Sequence, residues 1–267
     1  MALNGKIILK GLGLHSGKDC ELIIEPCDSD EILMNDVPLR KFNLVGTNRG
    51  SDYIFKDGER EIKIRTCEHV LSALTGMGIY SNAKLTVNGG EMPALDGCAK
   101  LLCDEILKNS ASTSKKTTAE GLNEGFIVSS DDRKRFVAAF PCDHLHITYT
   151  VEYDFVGTQT FDYVHTPENY YENISMARTF AMLSDIEYLR SHGMALGGSL
   201  DNAIVIGEKI QASGGLHWKD EFVRHKILDL IGDLSAVGKP FNAHIIAMKA
   251  GHELHLKLVE KLRGVIN

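Results

Sequence analysis

Alternation of apolar and polar residues in the first half of the chain predicts strands that are followed by helices. The segments with period-two alternation are 6–17 (KIILKGLGLHSG), 20–26 (CELIIEP) and 82–90 (NAKLTVNGG). In 63–78 (KIRTCEHVLSALTGMG), apolar residues instead recur at the spacing of one helix face. A second helix is predicted in 96–109 (DGCAKLLCDEILKN), with Asp96 as its N-cap.

The second half has a similar order of strands and helices. The predicted strands are 125–130 (GFIVSS), 134–141 (KRFVAAFP), 144–155 (HLHITYTVEYDF) and 243–249 (AHIIAMK). The predicted helices are 220–238 (DEFVRHKILDLIGDLSAVG) and 252–264 (HELHLKLVEKLRG). Residues 181–206 do not fit this order, and they predict an extra helix, a Gly-rich turn and an apolar strand. An insertion of this kind often serves binding.

A polar segment separates the two halves. Residues 108–121 (KNSASTSKKTTAEG) contain alanine as their one apolar residue type, so burial cannot repay the entropy of ordering them. We therefore expect a first domain over 1–110, a linker over 108–121 and a second domain over 122–267 with an insert at about 181–210. Strands that are followed by helices within each half favour an α+β fold over an alternating parallel sheet.

Composition narrows the range of partners. The formal net charge is −7 and no basic stripe is evident, so nucleic acid is not an expected partner. No apolar run approaches the ~20 residues that cross a bilayer, and the N-terminus lacks the pattern of a signal peptide. The six cysteines form no C-x-x-C pair. We expect a cytoplasmic protein and a monomer.

The first candidate for chemistry is Glu68–His69, at the start of a predicted helix. A glutamate beside a histidine can place a base next to a metal ligand. The ordinary interpretation is an acidic residue that is favoured at a helix N-terminus, with a histidine that packs beside it. The motifs of other hydrolases and nucleotide-binding enzymes, G-x-S-x-G, G-x-x-x-x-G-K-[ST] and H-E-x-x-H, do not occur.

The second candidate is RHKILDLIGDL, in which His225, Asp229 and Asp233 lie four residues apart. This spacing places all three on one face of a helix, where a histidine and a carboxylate can reach the same cation. Asp233 could orient a neighbouring histidine, as carboxylates around metal sites do. The alternative is a surface His–Asp pair that contributes a fraction of a kcal/mol, at most about 1.

The remaining candidates are less specific. His252 in KAGHELH could act as a general acid or stabilise an oxyanion, and the alternative is an ordinary histidine in the first turn of a helix. His255 has the same ordinary interpretation. In SMARTF (175–180), Thr179 offers a hydroxyl and Phe180 an aromatic ring.

Taken together, these segments resemble one family, the zinc-dependent UDP-3-O-acyl-N-acetylglucosamine deacetylases of lipid A biosynthesis in Gram-negative bacteria. The matching stretches occur in the order of that family and run through nearly the whole chain. They are GLGLHSG (11–17), RTCEHVLSAL (65–74), NGGEMPALDGCA (88–99), SMARTF (175–180), LGGSLDNAIV (196–205), DEFVRHKILDLIGDL (220–234) and AMKAGHELH (247–255). The combination of RHKxLDxxGDL with EHxLSAL is highly specific.

The resemblance implies a metal centre and an acid–base pair. The implied metal ligands are His69, His225 and Asp229. They would hold one Zn²⁺ per chain, although such a set also accepts Fe²⁺. Glu68 matches the general base that activates water. His252 matches the cationic histidine that stabilises the oxyanion and protonates the leaving amine, with Asp233 as its partner.

The resemblance also implies how a substrate is held. The matched residues are Thr179, beside the scissile carbonyl, and the substrate-contacting Phe180, Lys226, Phe155 and Gly198. The insert at 181–206 matches the segment that forms a hydrophobic passage for an acyl chain. The implied substrate is a UDP-linked N-acetylglucosamine with one acyl chain, so we expect transient proximity to a membrane. The family fold, two similar α+β domains whose helices pack between two sheets, agrees with the order of elements above.

Three alternatives stay open beside this reaction. One is a zinc hydrolase that acts on another N-acyl sugar. Another is a non-catalytic protein that binds a nucleotide sugar, although the complete set of candidate catalytic residues argues against it. The third is a fusion with a dehydratase, which the end of the sequence after the last predicted helix disfavours. The segment 47–63 is unlike the family's versions, and we assign it no substrate contact.

Overall fold

The protein folds as an α+β structure, as predicted, in a computed structural model that describes residues 1–47, 49–112 and 118–266. The helices are α1 (Glu68–Gly76), α2 (Lys100–Lys108), α3 (Pro167–Asn173), α4 (Leu183–Ser191), α5 (Glu221–Leu234) and α6 (His252–Val265), with short 3-10 turns at Leu39–Lys41 and Ser235–Val237. The strands of the first half are β1 (Ala2–Leu3), β2 (Ile7–Leu12), β3 (Asp19–Pro26), β4 (Ile32–Met34), β5 (Val37–Pro38), β6 (Asn43–Thr47), β7 (Gly50–Asp57), β8 (Arg60–Ile64), β9 (Ala83–Asn88) and β10 (Ser110–Ala111). Those of the second half are β11 (Glu120–Gly121), β12 (Phe126–Ser129), β13 (Phe136–Phe140), β14 (Leu145–Tyr153), β15 (Gly157–Val164), β16 (Phe180–Met182), β17 (Ile204–Ile206) and β18 (Phe241–Met248).

The main sheet of the first half has the strand order β2-β3-β9-β4-β5, in which β4 and β9 run parallel and the other neighbours antiparallel. Alternation along β3 buries Leu22 and Ile24 on the core side. A separate sheet, β6-β7-β8, is formed in large part by the segment 47–63, for which no substrate contact was predicted. Its hairpin reaches the candidate site, as shown below.

The start of α2 differs from the prediction, because Asp96 is not its N-cap. The helix begins at Lys100 with Ala99 at the cap, and no side chain caps it. Asp96 instead accepts a hydrogen bond from the Cys98 N–H (3.4 Å) in a turn that precedes the helix. Gly97 has φ +76° there, and a Cβ on it would lie 1.7 Å from the carbonyl oxygen of Asn202. The turn is therefore shaped by this close tertiary contact.

The second half contains a sheet of order β12-β13-β18-β14-β15, to which β11 adds beside β18. The neighbours β14 and β18 run parallel, whereas β14 and β15 form an antiparallel hairpin. Ile147, Tyr149 and Val151 of β14 are buried on the core side, where α5 packs on β14 and β15. The opposite face carries polar side chains such as His146 and His244 together with exposed apolar ones such as Phe140 and Val164.

Helices α1 and α5 pack against each other, and α5 also contacts α6. One continuous apolar cluster includes residues of both main sheets and of these helices. The predicted helices around Val70 and Leu228 are thus part of a shared core. Gly232 is essential to this packing, because a Cβ on it would lie 2.0 Å from the carbonyl oxygen of Glu68 in α1.

The ends of the predicted linker pair with different halves of the chain. β10 pairs with β1 of the first half, and β11 pairs with β18 of the second half. Residues 113–117 of the linker lie outside the described residues. The division into domains over 1–110 and 122–267 stays a prediction, to which this pairing lends support.

The insert has the predicted helix, Gly-containing turn and strand, as α4 and β17, and a further strand, β16, precedes them. β16 and β17 pair in parallel, so the unit is a small βαβ. Among the described residues, no helix combines the length and the apolar character needed to cross a membrane.

We expect Gly232→Ala to destabilise the fold by about 1–3 kcal/mol, because the new methyl group would force α5 away from the backbone of α1. The matched control is Gly264→Ala in α6, where an added Cβ meets nothing within 4 Å. That change should raise the free energy of unfolding by about 0.5–1 kcal/mol, because alanine favours helix. Denaturant unfolding of both variants tests this, and an equal effect of the two substitutions would contradict the role of the contact.

Candidate metal centre and active site

One face of α5 carries polar side chains that are almost completely buried. His225, Asp229 and Asp233 recur every fourth residue and are at most 3% exposed. The alternative of a solvent-exposed His–Asp pair is therefore wrong. Buried ionisable groups need partners, and helices α1 and α6 supply several of them.

Helix α1 brings His69 to this face. The helix begins at Glu68, so His69 lies in its first turn. The distances to Asp229 Oδ1 are 3.4 Å from His69 Nε2 and 3.2 Å from His225 Nε2. The two imidazole rings meet edge to face with centroids 5.0 Å apart. The three residues with predicted metal roles thus place one ligand atom each within 4.8 Å of the others.

The hydrogen bonds of this cluster fit a metal ion. Asp229 Oδ1 is buried and has no hydrogen-bond partner among the described residues, a costly state unless a cation neutralises it. His225 Nδ1 donates to the Ala177 carbonyl (3.0 Å), which leaves the Nε2 lone pair directed at Asp229. Burial lowers the pKa of His225 to about 4, so its ring is neutral, as a ligand must be.

Lys226 satisfies the other oxygen of Asp229, at 2.7 Å from Oδ2. Burial opposes the charge of Lys226, but the negative charge of Asp229 raises the pKa of the ammonium group above its ordinary value. Burial likewise would raise the pKa of Asp229, but His225 and Lys226 hold it well below its usual range. The carboxylate is therefore ionised and available to a cation on its free side.

Glu68 is buried beside the cluster, at 3% exposure. Its Oε2 accepts a hydrogen bond from the Ser51 N–H (3.0 Å), which fixes the carboxylate. Burial raises the pKa of Glu68 above its ordinary value, although the nearby histidines oppose that effect. A carboxylate with a raised pKa is a better proton acceptor near neutral pH.

His252 opens α6 and completes the cluster from a third helix. Its Nδ1 lies 2.7 Å from Asp233 Oδ2, and its Nε2 lies 3.6 Å from Asp229 Oδ2. Burial would lower the pKa of His252, but the charge and hydrogen bond of Asp233 raise it to about 9. Conversely, burial would raise the pKa of Asp233, and His252 lowers it to about 2. The pair is an imidazolium and a carboxylate at neutral pH.

A cavity of about 440 Å³ opens over these groups. Glu68, His69, His225, Asp229 and His252 line its polar end. The insert supplies apolar walls, among them Met182, Ile186, Leu189, Leu200 and Val205. The cavity therefore joins a cluster of acid, base and metal-ligand groups to an apolar passage.

The chain is similar to known proteins along nearly its whole length. The family model described as LpxC, UDP-3-O-acyl N-acetylglycosamine deacetylase, matches residues 1–264. The chain belongs to this family. Proteins named UDP-3-O-acyl-N-acetylglucosamine deacetylase from Sulfurimonas denitrificans, Syntrophus aciditrophicus and Aquifex aeolicus are similar to it. The Sulfurimonas protein is 38% identical over 95% of this chain and 88% of its own length. The Syntrophus protein is 37% identical over 97% of this chain and 84% of its own length. The Aquifex protein is 37% identical over 96% of this chain and 90% of its own length.

In this member of the deacetylase family, four of the five residues implied to hold substrate line the cavity. They are Thr179, Phe180, Lys226 and Gly198. Phe155 is not brought there, because it occupies the turn between β14 and β15 with φ +65° and a side chain that is 64% exposed. Tyr153, two residues earlier, lines the cavity instead and contacts Phe180 edge to face, with ring centroids 5.1 Å apart.

Ser51 and His255 are two residues of the site that sequence reasoning missed. Ser51 links the carboxylates of Glu68 and Asp233, because its N–H donates to Glu68 Oε2 and its hydroxyl donates to Asp233 Oδ1. His255 Nδ1 lies 2.8 Å from Asp233 Oδ2. Asp233 therefore has partners on both oxygens, with Ser51 on Oδ1 and two histidines on Oδ2. The three-residue spacing of His252 and His255 on one helix was a usable signal. No motif pointed to Ser51.

We expect Asp229→Asn to abolish tight metal binding, because the amide keeps the shape of the side chain but removes its charge. Metal content after dialysis against metal-free buffer should fall from about one ion per chain to near none. The matched control is Asp220→Asn, at the start of the same helix, where Asp220 Oδ1 pairs with Arg224 (2.8 Å). Equal metal content in the two variants would contradict the assignment of the ligand.

Proposed function

We propose that His69, His225 and Asp229 bind one zinc ion and that this centre removes the N-acetyl group of UDP-3-O-acyl-N-acetylglucosamine. The observation that carries the proposal is the buried, unpartnered oxygen of Asp229 between two imidazole nitrogens. Family membership makes the chain a hydrolytic deacetylase of lipid A biosynthesis that acts on a UDP-sugar with an acyl chain. The identity of the metal and the role of each residue are what we propose.

The donor set favours zinc. Two neutral imidazoles and one carboxylate are typical ligands of catalytic zinc, which keeps a coordination position open. Fe²⁺ accepts the same donors. When bound, zinc lowers the pKa of water toward ~7 and polarises a carbonyl oxygen. Its Asp229 ligand is fixed by Lys226, and its His225 ligand by the carbonyl of Ala177.

Glu68 acts as the general base. Its carboxylate faces the same cavity as the metal ligands, and the Ser51 N–H holds it in place. As the oxygen of water bonds to the acetyl carbon, Glu68 takes the proton that water loses. The raised pKa of Glu68 brings the proton affinity of the carboxylate closer to that of the attacking water.

His252 acts as the electrostatic partner and general acid. Its imidazolium lines the cavity on the side of Asp229 Oδ2, and Asp233 keeps it protonated. It stabilises the negative charge that develops on the carbonyl oxygen. As the C–N bond breaks, it gives its proton to the sugar nitrogen, so the products are acetate and the free amine. Asp233 contacts His252 and acts through it.

The substrate fits the cavity by its chemistry. Thr179 lines the cavity directly before β16 of the insert, and we place the scissile amide beside its hydroxyl. The acyl chain would occupy the apolar passage between β16, α4 and β17. Arg190 also lines the cavity and offers positive charge to the diphosphate, whereas Arg49, which lines it too, pairs with Asp185. We continue to expect a cytoplasmic monomer that meets the membrane transiently.

We expect Asp233→Asn to move the basic limb of the pH–activity profile to lower pH. The pKa of His252 is about 9 beside Asp233, so its protonated form persists below pH 9 and is lost above it. Without the carboxylate the pKa should return toward about 6.5, and acetate release at pH 8 should fall roughly 30-fold. The measurement is acetate release from the UDP-linked acyl-N-acetylglucosamine between pH 5 and pH 10.

Asp220→Asn is again the control and should leave the profile in place. A variant that is merely less stable would lose activity at every pH without a shift of the limb. An unmoved basic limb in Asp233→Asn would contradict the role of His252 as the acid.

A further inference from the structure

A second group of metal-binding side chains lies on the outer face of the sheet that contains β14 and β18. His146 and His244 stack face to face, with ring centroids 4.1 Å apart and planes 5° from parallel. His144 stacks on the other side of His146, with centroids 5.8 Å apart. Asp162 of β15 lies beside them, with its Oδ1 2.8 Å from His146 Nε2.

The strand register fixes this grouping. His146 of β14 pairs directly with His244 of the parallel strand β18. Thr148, the next outward residue of β14, pairs with Asp162 of the antiparallel strand β15. Their sequence neighbour Ile147 is buried on the opposite face, so these side chains all point away from α5. Three adjacent strands therefore present imidazole, hydroxyl and carboxylate groups at one place.

The hydrogen bonds leave ligand atoms available. Asp162 Oδ1 accepts from His146 Nε2 (2.8 Å) and from the Thr148 hydroxyl (2.6 Å). That hydroxyl in turn lies 2.9 Å from His244 Nε2. Among the described residues, the Nδ1 atoms of His146 and His244 have no hydrogen-bond partner. One candidate ligand atom from each of the two histidines and Asp162 lies within 4.8 Å of the others.

A surface ion pair does not account for the whole arrangement. A pair such as His146–Asp162 contributes at most about 1 kcal/mol at an exposed position. Stacking a second imidazole against it is unfavourable if both rings are charged. Two histidine rings with unpartnered Nδ1 atoms beside a carboxylate are an arrangement in which these side chains bind metals.

We propose that His146, His244 and Asp162 form a second binding site for a divalent transition-metal ion, on the sheet face opposite α5. Two nitrogens and one carboxylate oxygen suit Zn²⁺, and Ni²⁺ or Cu²⁺ as well. The site is half-exposed and its stacked rings must turn to converge on one ion, so it binds more weakly than the buried centre. A bound ion would link β14, β15 and β18 and stabilise the folded chain by mass action.

The test is a zinc titration of the enzyme that already holds its tightly bound ion, followed by equilibrium dialysis and calorimetry at pH 7.5. We expect one further ion per chain and a rise in melting temperature with zinc. His146→Gln and His244→Gln should each weaken this second binding event at least about tenfold. The tightly bound ion and the acetate release of these variants should stay unchanged.

Two matched controls locate the site. His192→Gln removes an exposed histidine that directly follows α4, and Cys142→Ser removes a thiol of the neighbouring Cys142–Asp143–His144 group. Both should keep the second ion. Absence of a second binding event, or its persistence in His146→Gln and His244→Gln, would overturn the proposal. Its loss in Cys142→Ser would also overturn it, because the ion would then be bound by the neighbouring group.

Discussion

The close contact between α1 and α5 is the constraint on which the site depends. The proposed base and metal ligands are divided between the two helices, with Glu68 and His69 on α1 and His225 and Asp229 on α5. Gly232 lets the backbone of α5 approach the carbonyl of Glu68, so the first turn of α1 lies directly over the polar face of α5. The continuous apolar core around the two helices holds them at this separation. The packing of the apolar core thus determines the distances between the polar side chains of the site.

Charged side chains are buried beside this contact, and two of the carboxylates are each balanced by a specific cation. Lys226 balances Asp229, and His252 balances Asp233. Buried pairs of this kind contribute little net stability, because desolvation offsets their attraction. We propose that they serve function instead, since Asp233 keeps His252 charged as an acid, whereas burial keeps His225 neutral as a ligand. Within this cluster, Asp229 Oδ1 is a buried oxygen that has no hydrogen-bond partner among the described residues, which is why we assign the metal there.

Much of this arrangement could be predicted from the sequence, because it depends on local spacing. The i, i+4, i+8 pattern of His225, Asp229 and Asp233 and the Glu68–His69 pair at a helix start place these residues correctly. What the sequence did not predict depends on tertiary contacts. Ser51 enters the site from a hairpin without a motif, and Tyr153 lines the cavity where Phe155 was expected. Helix α2 likewise begins later than predicted, after a turn in which Gly97 contacts the backbone of Asn202 in a distant loop.

The most direct test of the account is metal removal and return, with acetate release as the readout. Chelation should abolish deacetylation of the UDP-linked acyl-N-acetylglucosamine without unfolding the chain. Activity should then return in proportion to the first equivalent of zinc, because the buried centre fills before the half-exposed outer site. Full activity in the metal-free protein, or recovery only after a second equivalent, would contradict the assignment of His69, His225 and Asp229 as the catalytic metal centre.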